Sequence, residues 1–361
     1  MSDRPRQRAA PRKARRGFLL PFVLVALVLV AALAGATGLG AWRAMRSARL
    51  AWNGERATQA ADEALAITSA DWDGNAFAET AIGARWARTV TTADGASVDV
   101  ALVRTAPLTV VMEATARSSV HGSPDTASRR VTRVVSLAAP RFPLLGALTV
   151  LSTLRVTGTA DIDGRDLLSA TDGCAPARDS ASIGGVYAGS ASVAAAASVR
   201  GSVTVLAPGI ASPEIEAHRA TFDSAWTAAA ARIGRQVSIA PSGALGSARP
   251  WSARHVTASD SAARSIVLTG SSMHEGLLLV DGDLAVRGTM RLRGLLAVNG
   301  SLDVTGGTLD VEGGVVTRDG NAGTSHAGSG VWVRYSPCTV LRAMAAVARP
   351  EFVPYGLWIA R

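Results

Sequence analysis

Residues 276–305 read GLLLVDGDLAVRGTMRLRGLLAVNGSLDVT, and this stretch decides the fold because it repeats one six-residue unit five times. Each unit consists of Gly, any residue, Leu or Met, any residue, Val or Leu, and any residue. The repeat glycines are Gly276, Gly282, Gly288, Gly294 and Gly300. Apolar residues at alternate positions are typical of a short strand with one buried face, and glycine on that face marks a bend without room for a side chain.

The same unit appears twice earlier, from Gly146 and from Gly189. Stacked strands that turn at glycine favour a β-solenoid, in which each rung is covered only by its neighbours. A twisted stack of hairpins fits the same pattern. We therefore predict a β-solenoid-like domain over 141–320, interrupted by an insertion over 207–262 that holds a helix near 213–234. Residues 321–361 form a C-terminal segment.

The N-terminal part predicts a membrane anchor. Residues 18–41 carry no charge, and as a helix they extend about 36 Å, enough to cross a hydrocarbon core of about 30 Å. Residues 1–16 hold seven basic residues against one acidic residue, so much of the net charge of +9 lies there. By the positive-inside rule, 1–17 is a cytoplasmic leader and the body is exported. A secretory signal cleaved after Ala34 is the main alternative.

The next segment predicts a helix that carries a sheet. Residues 42–69 have no proline and one glycine, and their small apolar residues follow three- and four-residue spacing: Ala57, Ala60, Ala61, Ala64 and Leu65. Over 70–140 we expect a loop with a short helix up to residue 95, then three strands at 97–103, 108–115 and 129–137. An antiparallel meander packed on the exported half of the helix is the simplest arrangement. The fold class is therefore α+β, and mostly β outside the N-terminus.

The junction Arg15-Arg16-Gly17-Phe18 resembles that of type IV prepilins and pseudopilins. In that family a prepilin peptidase cuts after the glycine, here between Gly17 and Phe18, and methylates the new terminal residue. Phe22 stands where most members carry Glu, a departure that some minor members share. A plain signal anchor is the alternative interpretation of this junction.

Two further stretches resemble PilX-like minor pilins: TQAADEAL at 58–65 and GLLLVDGDLAVRG at 276–288. The resemblance implies a minor pilin-like structural component of a type IV pilus or a type II secretion-type filament. Its expected partners are the inner membrane, prepilin peptidase and other pilins or pseudopilins, and its body lies in the periplasm or in an assembled pilus. No enzymatic activity, cofactor or nucleic-acid partner is expected.

Two other hypotheses remain open. One is a membrane-anchored periplasmic or surface β-solenoid binding module outside any filament. The other is a polysaccharide-processing enzyme with a β-helix fold. Asp281, Asp283, Asp303 and Asp310 would be its candidate carboxylates or a calcium site, but alternation places them outward among arginines, as expected of a solvated face.

The remaining motifs are weak signals of chemistry. Residues 323–328, GTSHAG, come near a nucleophile turn, but Ala327 replaces the second glycine and the stretch reads as a flexible loop. Five scattered histidines and two cysteines lack metal-ligand spacing. Because both cysteines lie in the exported part, we expect a disulfide between Cys174 and Cys338, with two free thiols as the alternative.

Overall fold

The computed structural model describes residues 19–119, 126–166, 183–205, 212–234, 236–239, 242–245, 249–258, 265–318 and 324–352. One long helix precedes a five-stranded antiparallel sheet and a 16-stranded parallel sheet. Strands predominate beyond the first helix, which confirms the α+β class and its mostly β body.

Helix α1 runs without a break from Leu19 to Ala70, which confirms the predicted continuation of the apolar segment into a second helical half. The side chains of its first half are exposed, whereas Ala57, Ala61, Ala64 and Leu65 in the second half have no exposed surface. These residues pack against the antiparallel sheet. Small side chains allow the strands to approach the helix backbone closely, so the predicted sheet-bearing face is confirmed.

The antiparallel sheet has the order β1-β2-β3-β4-β21. Its strands are β1 (Arg85–Thr91), β2 (Ser97–Ala106), β3 (Thr109–Ser119), β4 (Thr126–Ala138) and β21 (Arg349–Phe352). The three predicted strands are confirmed as β2, β3 and β4, and the expected short helix is α2 (Gly74–Glu79). The prediction of loop up to residue 95 is wrong for β1, because Trp86 and Val90 turn towards the helix-side core and make it the edge strand. The far edge is β21, from the C-terminal segment.

Hydrogen bonds from a buried arginine connect this sheet to α2. Arg104 has no exposed surface, and its Nη1 donates to the carbonyl oxygens of Phe77 and Ala78 at 3.1 Å each and of Thr80 at 2.7 Å. Its Nη2 donates to the carbonyl oxygen of Pro107 at 2.8 Å. Burial, together with the charge of Arg342, lowers the pKa of Arg104 to about 10. The cation is therefore stabilised by backbone carbonyls rather than by an acid.

The parallel sheet contains all the remaining strands, each of them short. They are β5 (Gly146–Val156), β6 (Asp161–Asp163), β7 (Gly184–Val193), β8 (Ser198–Arg200), β9 (Val203–Val205), β10 (Gln236–Ile239), β11 (Ser242–Gly243), β12 (Ser252–Ala258), β13 (Ser265–Leu268), β14 (Ser271–Asp281), β15 (Asp283–Val286), β16 (Thr289–Val298), β17 (Leu302–Val304), β18 (Thr308–Thr317), β19 (Thr324–Ala327) and β20 (Val331–Tyr335). Every pair among them is parallel in the described residues. Stacked hairpins require antiparallel pairs, so that alternative is contradicted.

The register of the parallel sheet shows that three hexads act as one unit. Gly276 lies opposite Gly294, and Leu284 lies opposite Leu302, an offset of 18 residues in both pairs. The next step, from Gly294 to Gly313, takes 19 residues and absorbs the slip at Gly306-Gly307. Equivalent glycines of successive units therefore stand on top of one another across the sheet.

The apolar residues two and four positions after each repeat glycine form the interior. The expectation that residues at the odd positions between them all point outward to solvent is partly wrong. Leu277, Leu279, Leu295 and Ala297 stand at odd offsets and are nevertheless buried, beneath α3 (Pro213–Ile233) and α4 (Pro337–Ala345). Every third hexad carries apolar residues at both alternating positions, so one outer face of the stack is covered by helices rather than by water.

Helix α3 returns the chain along this covered face. It begins after the N-cap Ser212 and ends at Gly234, which confirms the predicted helix. The strands β9-β7-β5-β18-β16-β14-β12-β10 lie side by side, spanning about 34 Å at about 4.8 Å per step, and α3 contacts β5 and β12 among them. A 21-residue helix is about 32 Å long, enough to run from β9 back to β10. The predicted insertion over 207–262 is too long, since β10, β11 and β12 belong to the sheet.

The two blocks of repeats meet in the middle of the sheet. Strand β5, the first of the earlier block, pairs with β18 and β19 of the later block, and β6 pairs with β20. The sheet is therefore continuous only when segments separated by more than a hundred residues come together.

Candidate functional site

The exposed half of α1 is the first candidate site. Its large apolar side chains from Leu20 to Leu39 are 52–75% exposed, and α1 is long and apolar enough to cross a membrane. Gly17 and Phe18, the expected peptidase junction, lie outside the described residues. The described part of α1 starts at Leu19, directly after that junction in the sequence.

Aromatic and basic residues flank the apolar half on its far side. Trp42 and Trp52 are 55% and 63% exposed, and the guanidinium of Arg46 lies 5.6 Å from the ring centroid of Trp42. Such residues favour the headgroup region of a bilayer, where one end of the side chain is apolar and the other is hydrated. The sheet begins to cover α1 only beyond them, near Asn53 and Gly54, which are buried.

Polar contacts lock the sheet onto the second half of α1. Arg133 of β4 donates to Asp62 at 2.6 Å, and the backbone N–H of Ala93 donates to Glu63 at 2.8 Å. Arg56 pairs with Asp94 at 3.4 Å on the exposed side. The helix and the sheet are therefore joined by an apolar stripe with ion pairs along its borders.

The outer face of the parallel sheet carries a ladder of alternating charge, which the sequence analysis missed. Neighbouring strands place these residues opposite one another in register: Glu275, Arg293, Glu312, Arg334, Asp163 and Arg200 lie on β14, β16, β18, β20, β6 and β8. Arg293 contacts Glu275 at 3.2 Å and Glu312 at 3.4 Å. From Glu275 to Arg293 and on to Glu312, the signal in the sequence is the exchange of acid for base after 18 and then 19 residues, which is invisible when single hexads are compared.

Asp163 is the most strongly stabilised carboxylate of this ladder. It accepts hydrogen bonds from Arg165 at 2.7 Å and lies 3.5 Å from Arg200. The hydrogen bond from Arg165, which outweighs burial, lowers the pKa of Asp163 to about 2. The carboxylate therefore stays charged wherever the protein is folded at ordinary pH.

The four carboxylates considered for catalysis all contact a residue 16 to 24 positions away in the chain. Asp303 binds Arg287, Asp310 accepts from Arg334 at 2.9 Å, Asp281 accepts from Asn299 at 3.2 Å, and Asp283 accepts from the backbone N–H of Ser301 at 2.7 Å. Burial of Asp303 is outweighed by its hydrogen bonds from Arg287 and Thr305, and its pKa is lowered. These contacts connect successive units of the stack.

The serine of the GTSHAG stretch is not presented for nucleophilic attack. Ser325 lies in strand β19, so the expectation of a flexible loop is wrong for residues 324–327. Its side chain is buried, and its Oγ accepts a hydrogen bond from the backbone N–H of Leu302 at 3.1 Å. Gly323 lies outside the described residues. In the described part of the chain, no group of three His, Cys, Asp or Glu side chains has the geometry of a metal site.

Two histidines are buried within the parallel sheet, His274 on β14 and His255 on β12. His274 is 2% exposed, and its Nε2 lies 3.2 Å from the carbonyl oxygen of Leu277. Burial lowers the pKa of His274 to about 4, and the charge of Arg254 adds to that effect. Burial also lowers the pKa of His255, whose ring packs edge-on against Trp226 at 5.5 Å. Both rings are neutral packing elements near neutral pH.

The cysteines are only partly described. Cys338 is disulfide-bonded and stands in the first turn of α4. Cys174 lies outside the described residues, so the pairing of the two stays a prediction.

A cavity of about 700 Å³ separates the two sheets. It opens between β4 and α4, and its wall is largely apolar, with Phe142, Leu144, Val340 and Met344 on the side of the parallel sheet. Tyr335 also lines it, and burial raises the pKa of this phenol. Arg141 and Glu351 are the charged residues among its lining, and the otherwise largely apolar wall gives it the character of a packing gap between the two sheets.

No protein-family model, curated protein or solved structure matches this chain.

Proposed function

We propose that this chain is an N-terminally anchored, minor pilin-like structural protein whose α1 packs in a membrane or filament and whose parallel sheet forms an exported head. Its work is mechanical, and prepilin peptidase and other pilins or pseudopilins are its partners. The inner membrane holds α1, and the body lies in the periplasm or in an assembled pilus.

The observation that carries this proposal is the division of α1 into two surfaces. One continuous helix of 52 residues leaves its first half bare and apolar, whereas its second half is covered by an antiparallel sheet. An exposed apolar half-helix requires lipid or other helices around it, because its apolar surface would otherwise be exposed to water. Gly35 and Gly38 have open space around them, which suits close helix packing.

We further propose that the head is a β-solenoid with three short strands in each turn. The 18-residue register offset and the parallel pairing support it, as do the stacked glycines. Each turn is then covered only by its neighbours, and the alternating charges hold the register on the exposed side. The paired state of the four aspartates supports a structural rather than an enzymatic head.

The proposal is tested at the N-terminus. The full chain is expressed with and without a prepilin peptidase, purified from membranes and measured by intact mass and N-terminal sequencing. We expect a mature chain that starts at N-methylated Phe18 only when the peptidase is present. Gly17→Val should block this processing, whereas the matched variant Gly38→Val, within the exposed span, should be processed normally.

Two results would contradict it. A start at Gly35 would show a cleaved secretory signal and a body without its apolar helix. An intact leader in the presence of an active peptidase would instead favour the alternative, a membrane-anchored solenoid binding module outside any filament. The observation that favours this alternative is the exposed Phe22, which stands where most pilins carry Glu.

A further inference from the structure

Three arginines follow the apolar half of α1 directly. Arg43, Arg46 and Arg49 stand three residues apart, and all three are exposed. The next acidic residue of the helix is Glu55, six positions beyond Arg49. Side chains on a helix pair at a spacing of three or four residues, so no carboxylate of α1 stands where it could neutralise these arginines. The segment therefore carries its positive charge to the helix surface.

The three arginines stand on the side of α1 that carries the antiparallel sheet. An interval of 18 residues is about five full turns of an α-helix. Arg43 and Arg46 therefore lie in line with Ala61 and Ala64, which have no exposed surface and pack against that sheet. Arg49 lies about 60° further round the helix. The arginines are thus placed between the sheet and the apolar half of the helix.

Their distance along the helix matches the headgroup region of a bilayer. The hydrocarbon core is about 30 Å thick, and each headgroup layer adds about 5–8 Å. Arg43 and Arg46 lie about 36 and 40 Å along the helix from Leu19, where the described apolar half begins. Helical side chains tilt towards the helix N-terminus, which here is towards the bilayer. Their guanidinium groups therefore lie at headgroup level, with their apolar stems along the helix.

A fourth arginine lies above them, on the sheet. Arg129 of β4 is exposed, and its Nη2 lies so close to α1 that a Cβ on Gly54 would be 2.9 Å from it. Gly54 stands five residues, or about 7.5 Å, beyond Arg49. The Nη1 of Arg129 donates to the carbonyl oxygen of Ser128 at 3.3 Å. In the part of the chain that the structure describes, no carboxylate lies within ion-pair distance of Arg49 or Arg129.

The chemistry of this cluster fits phosphate joined to acyl chains. Guanidinium groups bind phosphate oxygens with two parallel hydrogen bonds, and all four cations are arginines. Directly below them begins the exposed apolar surface of α1, which ends near Leu39 and requires hydrocarbon around it. A ligand with an anionic head and apolar tails satisfies both surfaces, whereas a free phosphate ion satisfies only the upper one.

We propose that Arg43, Arg46, Arg49 and Arg129 form a binding site for the phosphate groups of anionic phospholipids, in the leaflet beneath the antiparallel sheet. The inference rests on the anchoring of α1 in the proposed function and adds the chemical class of the lipid partner. Lipid bound there fixes the depth of α1 and holds the sheet directly above the bilayer surface.

Lipid selectivity in reconstituted membranes tests this site. The full chain is placed in vesicles of equal parts phosphatidylcholine and phosphatidylglycerol, and electron spin resonance of spin-labelled lipids gives the affinity of each lipid for the protein. We expect a preference for phosphatidylglycerol that falls at least about threefold when Arg43→Gln, Arg46→Gln and Arg49→Gln are combined, because one basic residue at a membrane surface contributes about fivefold and the signal averages over all lipids around the helix. The basic leader is the same in both chains, so its contribution cancels.

Two matched variants control for net charge and for folding. Arg155→Gln, Arg249→Gln and Arg291→Gln together remove the same charge from exposed positions in and beside the parallel sheet, and should leave the preference unchanged. That sheet meets the rest of the molecule beyond the other end of α1, where the backbone N–H of Ala253 donates to Asn75 at 3.1 Å. Lysine at the three positions of α1 keeps the charge and should retain most of the preference.

An unchanged preference in the α1 glutamine variant would overturn the inference, and so would an equal loss in the parallel-sheet variant. Extraction with alkaline carbonate from vesicles of phosphatidylcholine alone separates this result from the proposed anchor. A chain that carbonate removes would contradict both the anchor and the lipid site. A chain that stays in these vesicles, but whose lipid preference does not depend on the α1 arginines, would contradict the lipid site alone.

Discussion

Gly294 lies so close to Gly276 across the β14–β16 pair that a Cβ on Gly294 would overlap the carbonyl oxygen of Gly276. Gly313 stands in the same relation to Gly294, and all three have φ between +121 and +144°. Glycine is therefore required at these three positions for two reasons: the positive φ of the backbone and the short distance between the stacked strands.

Gly294→Ala should lower the free energy of unfolding by about 3 kcal/mol or more, because strain at positive φ adds to overlap with a carbonyl. Urea unfolding followed by circular dichroism measures this. Gly306→Ala is the control, since its Cβ would meet only the side chain of Arg287, at 3.4 Å. Equal losses in the two variants would contradict the stacked-glycine interpretation.

Deleting residues 276–293 should be tolerated better than deleting residues 276–281. The longer deletion removes one complete 18-residue unit and joins Glu275 to Gly294, which lies opposite Gly276 in the sheet. The shorter deletion removes only one hexad, so every later strand would move to another face of the stack. Thermal unfolding of both variants tests this. A sharper, more cooperative transition in the six-residue deletion would argue against an 18-residue unit.

Arg104→Met should destabilise the protein by about 3 kcal/mol, because four backbone hydrogen bonds to buried carbonyls are lost. Arg104→Lys should fall between wild type and Met, since an ammonium has fewer donors. Arg117→Met, on an exposed site of β3, should change stability by less than about 0.5 kcal/mol. Equal effects at both arginines would refute the fastening role of Arg104.

Stability should fall as the pH drops from 6.5 towards 4. His274 has its pKa lowered to about 4 from the ordinary 6.5, so the unfolded chain binds the proton first and low pH favours it. The shift corresponds to about 3 kcal/mol. Asp163 acts at lower pH, between 3.8 and about 2, and does not overlap this window.

His274→Gln tests this assignment. Urea unfolding at pH 7.5 and pH 5.0 should show a smaller pH-dependent loss in the variant than in the wild type. An unchanged loss would assign the effect to other groups, such as His255, whose pKa burial also lowers.

Peptide mapping without reduction should recover Cys174 linked to Cys338. The link would tie the segment around residue 174 to α4, because Cys338 stands in the first turn of that helix. Thiol labelling of both cysteines in the native protein would contradict the pairing, and Cys338→Ser should leave Cys174 reactive as a control.

Much of the architecture follows from local pattern. The alanine face of α1, strands β2 to β4 and helix α3 were predictable because each depends on residues close together in the chain. Of the candidate site, only the apolar first half of α1 was predictable from the sequence. The charge ladder and the partners of the four aspartates were not, because each contact joins residues at least 16 positions apart in the chain.

The hexad sequence by itself determined that the chain makes short strands with one buried face, since alternation with glycine permits little else. Only the tertiary structure decided that three hexads make one unit, that α3 and α4 cover one outer face, and that β5 joins β18 in mid-sheet. The physical reason is that hydrogen bonding between parallel strands does not depend on side-chain identity. Which strands become neighbours is decided by packing and charge between distant segments.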